Sequence, residues 1–233
     1  KYNEQGGNIK LVIDSNADRT SYDQKLRTMI AGGQMPDMFD LDATPYATEL
    51  GEQGMLTDMD AFLDKIGEKD SYIPLALNYG RTSDGKLYTL PLELSTEMIW
   101  YNVDMFKDAG IEAPKTLDEL LEDCKILKEK GYTAFGIGGG DGWPLLRLLA
   151  TYPFRMTGNE YLNKLSLGEA KMSDEPGVKA ATFMSEIGQY FQPGFSTTDV
   201  ATGLNLFLSG KSAMYPTGTW ELNYFTDKNR PEG

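Results

Sequence analysis

Ile9, Leu11 and Ile13 alternate with Lys10, Val12 and Asp14, a period of two that predicts a strand. Tyr22, Leu26, Met29 and Ile30 then recur at helical spacing, and Gly32-Gly33 stops that helix. Met38-Phe39 predicts a short strand, and Thr44-Pro45 reads as an N-cap with proline at the first helical position. Met59, Phe62, Leu63 and Ile66 mark an amphipathic helix ended by Gly67, and Asp84-Gly85 signals a tight turn before a strand from Lys86 to Leu90. The continuous apolar run Met98 to Tyr101 predicts a buried strand. Val103 to Ala109 is a short helix closed by Gly110. Thr116 with Glu119 forms a capping box. It opens a helix whose inner face is Leu117, Leu120, Leu121, Cys124 and Leu127, and Gly131 ends it. Further along, Ala134 to Ile137 predicts a strand, Leu145 to Leu149 a short helix, and Ala180, Phe183, Met184, Ile187 and Phe191 an amphipathic face. Leu204, Phe207 and Leu208 form a last helix stopped by Gly210, before a strand from Ser212 to Tyr215. Strands alternating with helices predict an α/β fold with a mostly parallel sheet.

Composition narrows the chemistry. The 233 residues carry a net charge of -13, which repels nucleic acid and anionic lipid. No apolar run is long enough to span a membrane. Histidine is absent, which removes Ser-His-Asp and Cys-His catalysis, His-bearing zinc sites and His pH switches. The single Cys124 forms neither an internal disulfide nor a metal cluster, and on the apolar face of its helix it reads as a small core residue. No cofactor or metal is expected.

Motifs that suggest catalysis fail on spacing. Ser209-Gly210-Lys211-Ser212 resembles the end of a phosphate-binding loop, but the glycine required five residues before Gly210 is Asn205. The run from Gly136 to Gly142 follows a strand, yet Asp141 and Trp143 stand where a dinucleotide fingerprint needs glycine. It reads as a turn, or as a loop bringing backbone and Trp143 close to a ligand. The pairs Asp40/Asp42 and Glu93/Glu97 are available to a glycosidase, but close pairs are common among 35 acidic residues.

Several blocks in order resemble the extracellular solute-binding proteins of the sugar class, relatives of maltose-binding protein. They are Ala31 to Asp37, Gly54 to Met59, Gly85 to Pro91, Trp100 to Phe106 with Ala109 to Leu120, and Phe207 to Met214 with Gly218-Thr219-Trp220. Val103-Asp104 departs from the commoner lysine-aspartate of that family. The resemblance implies a periplasmic-binding-protein type II fold of two α/β lobes joined by a hinge, residues 1–99 and 100–233. It implies a carbohydrate bound in the interlobe cleft and delivered to an ABC-transporter permease, outside the cytoplasm, in a periplasm or lipid-anchored at the cell surface. The protein is expected to be a monomer. The chain reads as cut at both ends, with the family's first strand and helix and its last part of the second lobe missing.

The resemblance also nominates site residues. A sugar offers apolar C–H faces and a rim of hydroxyls, so its site wants flat aromatics and carboxylates or amides. Trp220 falls at the family's sugar-stacking position, Trp143 follows a loop that lines its cleft, and Asp42 follows a strand where the family often places a sugar-binding acid. Asp141 either accepts hydroxyl hydrogen bonds or serves a helix N-terminus. Glu97 and Ser95 face the cleft, and Trp100 in the hinge strand is either a ligand contact or core. The alternatives are the same fold with a non-sugar solute such as a polyamine, a carbohydrate-active hydrolase, or a scaffold without ligand. The arginines at 19, 27, 81, 147, 155 and 230 lie outside the matched blocks, which argues against an anionic ligand.

Overall fold

A computed structural model of the chain describes residues 8–16, 19–41, 45–82 and 85–225. The chain divides into two compact units at the Leu94–Ser95 junction, earlier than the boundary expected from sequence. The reason is that the strand Glu97–Tyr101 pairs with Met214–Gly218 and so belongs with the residues after it.

The first unit is helical. Helices α1 (Arg19–Ala31) and α2 (Pro45–Glu52) bury Leu26, Ile30 and Leu50 together. Thr44 and Asp84, two of the expected signals, lie outside the described residues. Helix α3 (Met59–Ile66) is capped by Asp58, whose carboxylate accepts from the Ala61 N–H at 3.0 Å, and it ends at Gly67. With α4 (Pro74–Tyr79) it covers Leu63, Leu77 and Leu87. Arg81 donates both guanidinium nitrogens to Asp60 at 2.6 and 2.9 Å, and Lys69 reaches the same carboxylate at 2.8 Å. These partners, the Arg81 hydrogen bond foremost, hold Asp60 well below the usual carboxylate range.

The three strands expected here do not form among the described residues. Ile9, Val12 and Ile13 are exposed, and residues 9–13 join no strand ladder among the described residues, so the alternation finds no sheet face to bury against. Met38 is exposed while Phe39 packs on the α1–α2 core, and of the Lys86 to Leu90 segment only Leu87 forms a bridge, with Arg81.

The second unit holds β1 (Glu97–Tyr101), α5 (Val103–Ala109), α6 (Leu117–Glu129), α7 (Trp143–Thr157), α8 (Glu160–Ser166), α9 (Glu175–Ile187), α10 (Val200–Leu208) and β2 (Met214–Gly218). Local caps set several of these. Asn102 accepts from the N–H groups of Asp104 and Met105, and α5 stops at Gly110. Thr116 accepts from Glu119 N–H, while the Glu119 carboxylate takes the Lys115 N–H instead of closing the expected box on Thr116.

β1 and β2 are antiparallel, with Glu97 opposite Gly218, Trp100 opposite Tyr215 and Tyr101 opposite Met214. Among the described residues parallel pairing is confined to isolated bridges of Phe135 with Met214 and Phe191. The mostly parallel sheet expected from the alternation of elements is therefore a mixed one here. Phe106, Cys124, Leu127, Phe135, Ile137, Ile187 and Met214 pack into one core on this sheet. β1 itself is not buried as expected. Met98 and Tyr101 are exposed to 38% and 40%, because an apolar run shows a preference for burial but not what will cover it.

Candidate functional site

The β1–β2 register decides which residues meet. Glu97 lies opposite Gly218, so the chain leaving β2 emerges beside the start of β1. Thr219 N–H donates to Thr96 O at 3.0 Å, and Thr96 N–H donates to the Thr219 hydroxyl at 3.2 Å, extending the pairing past the ribbon. Ser95, Glu97 and Trp220 are thus brought to one end of it. The Trp220 ring folds back over Gly218, where a Cβ would collide with the indole.

The glycine run supplies the other wall. The Gln192 side chain brackets Ile137, accepting from its N–H at 2.9 Å and donating to its carbonyl at 2.7 Å. A Cβ on Gly138 would lie 2.5 Å from Val200 Cα, and one on Gly139 would lie 2.6 Å from Phe195 O. The run is close-packed against the start of α10 instead of cradling a phosphate. Asp141 accepts the Val200 N–H at 2.8 Å, so of its two expected roles the structure displays service at a helix N-terminus. Two residues later Trp143 starts α7. The other phosphate-loop lookalike is a helix stop: the Ser209 hydroxyl bonds back to Asn205 O and Ser212 is buried.

Trp143 and Trp220 meet edge to face, ring centroids 5.9 Å apart and planes at 66°. Below Trp143 on α7, Arg147 donates to Glu97 at 2.9 Å, tying the helix to the ribbon. A cavity of about 630 Å³ opens here between α7, the ribbon and the segment before α6. Trp143, Tyr101, Tyr152, Pro216 and Ile99 give it apolar walls, and Thr116, Thr151 and Thr217 add hydroxyls. That mixture suits a solute with both apolar faces and hydroxyls.

Trp100 is elsewhere. Successive strand side chains point to opposite faces, so Trp100 lies on the face away from Glu97. Its ring packs on Phe225 at 4.6 Å, beside the Phe207–Tyr215 pair, and its indole N–H is buried with no partner among the described residues. Asp42 falls outside the described residues. Sequence reasoning missed Arg147, Arg155, Lys115 and Tyr152 as cavity residues. The available signal was the stripe Arg147, Thr151, Arg155, one position per helical turn.

Next to Trp220, Glu221 is 7% exposed and one carboxylate oxygen has no partner among the described residues, and burial pushes its carboxyl above the ordinary range. Burial also raises the nearby Tyr215 phenol, with the charges of Glu221 and Asp141 acting in the same direction. No group of acidic or cysteine side chains among the described residues is arranged to hold a metal ion, and no helix there is long and apolar enough to cross a membrane.

Along residues 1–233 the chain matches the family model described as bacterial extracellular solute-binding protein. It is 24% identical over 233 residues to an ABC transporter extracellular-binding protein of Pyrococcus horikoshii, covering 98% of this chain and 52% of that protein. It is 26% identical over 208 residues to the multiple sugar-binding protein of Streptococcus mutans, covering 84% of this chain and 48% of that one. The chain thus spans about half the length of these relatives. A solved structure from work on xylan utilization by Caldanaerobius polysaccharolyticus superposes with a TM-score of 0.88 at 24% identity, over 97% of this chain and 57% of its own. That likeness gives the chain the periplasmic-binding-protein type II fold.

Proposed function

The chain belongs to the bacterial extracellular solute-binding protein family, and we propose that it captures a carbohydrate and hands it to the permease of an ABC transporter. The observation that carries this reading is the Trp143–Trp220 pair, in which Trp143 lines the cavity together with the Glu97–Arg147 ion pair and Trp220 packs against Trp143. Two indoles at 66° present apolar surfaces in two directions, matching the C–H faces of a pyranose, and the ion pair and threonines supply partners for its hydroxyls. The name of the Streptococcus mutans relative, a multiple sugar-binding protein, supports the same ligand class. Of the residues nominated from sequence, Trp143, Trp220 and Glu97 carry the contact, with Ser95 at the same end of the ribbon, Asp141 holding the wall, and Trp100 bracing the opposite face. In this reading the two compact units, divided at the Leu94–Ser95 junction, belong one to each of the two lobes.

Binding without turnover is favoured over hydrolysis. A glycosidase needs one carboxyl kept protonated by burial next to a second, ionised one. The carboxylates that line the cavity are Glu97, held by Arg147, and Asp118 at the first turn of α6. The acids raised by burial, Asp123 and Glu221, do not line it. The protein acts outside the cytoplasm as a monomer, free or lipid-anchored, and needs no cofactor.

A thermal-shift screen of the full-length protein against mono- and oligosaccharides, with polyamines and amino acids as controls, tests this. Saturating ligand at about a hundred times its dissociation constant adds about 2.7 kcal/mol, a shift of about 5–10 °C. Shifts confined to the controls overturn the carbohydrate reading.

A further inference from the structure

The charge on the cavity wall runs against the charge of the chain. The sequence has 35 acidic and 22 basic residues, yet the wall carries Lys115, Arg147 and Arg155 against Glu97 and Asp118. One of those carboxylates is already matched, since Arg147 donates to Glu97 at 2.9 Å. Among the described residues Arg155 and Lys115 form no ion pair. Helix α7 is otherwise free of charge. Its arginines fall two turns apart with Thr151 between them, and all three positions line the cavity. Lys115 approaches from the segment before α6, across the same space. Two cations without ion-pair partners can donate to the hydroxyls of a neutral sugar, but only a ligand carboxylate would also match their charge.

We infer that this cavity takes an acidic oligosaccharide, one carrying a uronate carboxylate. The aromatic end of the cavity packs the sugar ring and Arg155, with Lys115, receives the carboxylate. A guanidinium matches a carboxylate in a paired, planar geometry, and Lys115 adds a point charge. Asp118 is the one carboxylate on the wall left to oppose the ligand, and it sits in the first turn of α6, where the helix dipole favours its charge. This inference rests on the carbohydrate reading above.

The test is isothermal titration of the full-length protein with matched probes: trigalacturonate against its methyl ester, and glucuronosyl-xylotriose against xylotriose. For at least one pair the acidic member is expected to bind roughly tenfold tighter in low salt, and the gap to shrink in about 0.5 M salt as screening sets in. Arg155→Gln and Lys115→Gln, both at exposed positions, are expected to reduce the gap while the neutral member binds within about twofold of wild type. A neutral member that binds as tightly as its acidic partner overturns the uronate inference and leaves the carbohydrate reading standing. Failure of every oligosaccharide in this set and in the thermal-shift panel overturns both.

Discussion

Trp143 at the first position of α7 and Trp220 just past the end of β2 meet edge to face at 5.9 Å, although 77 positions separate them in sequence. Trp220 is 36% exposed, more than a structural tryptophan needs to be. If this pair is the sugar platform, Trp220→Ala should weaken ligand binding by at least roughly 2 kcal/mol, the loss expected of an aromatic anchor. Titration of the folded variant with the ligand found in the thermal-shift screen decides it. An unchanged affinity removes Trp220 from the site.

What the sequence revealed was mostly local. Helices α5 and α6 were legible because Asn102, Gly110 and Thr116 act within a turn of their own positions. Trp143 and Trp220 were legible as candidates because each follows a glycine-bearing loop, and the family resemblance singled them out. Their partnership was not, because it depends on the Thr96–Thr219 bonds across 123 positions and on Gln192 bracketing Ile137. The Ile9 to Ile13 strand failed for the complementary reason: alternation describes a segment, and a strand needs a second one. The arginines were set aside because no family block contained them; their helical spacing could place Arg147 and Arg155 on one face, while the cavity that face lines appears only once α7 packs beside the ribbon.

Gly138 is predicted to be intolerant of even one methyl group. A Cβ there would lie 2.5 Å from Val200 Cα and 2.6 Å from Val200 N, both backbone atoms that cannot rotate aside. Gly138→Ala should destabilise the protein by about 1–3 kcal/mol, the usual cost of overpacking. A fall in the denaturant midpoint at constant slope checks it, and an unchanged midpoint shows that α10 can move away without penalty.

Cys124 should be inert in the native protein. It is fully buried in the α6 core, and that burial pushes its thiol up to about 12, with the Asp123 charge adding to the effect. At pH 8 its reaction with a disulfide reagent should be slower than that of the unfolded chain by at least about a thousandfold. Fast labelling without denaturant would mean that α6 opens readily from the core.

Glu221 makes the stability of the protein depend on pH in a stated direction. Burial disfavours its charged form, so the folded carboxyl holds its proton to a higher pH than the unfolded one. Well below about pH 4.5 both states are protonated and the group contributes nothing. As pH rises through the unfolded value the unfolded chain releases its proton first, and stability falls until the folded carboxyl ionises too, after which the loss stays constant. Glu221→Gln keeps the shape of the side chain and removes its charge. The variant should therefore unfold at or above the wild-type temperature near neutral pH, match it in acid, and show a shallower decline between the two. Asp123 is raised by the same mechanism and remains in both proteins, so it cancels in the difference. A glutamine variant that is less stable at neutral pH but not in acid would reveal a cationic partner for the Glu221 carboxylate, and would remove the buried charge as the source of the effect.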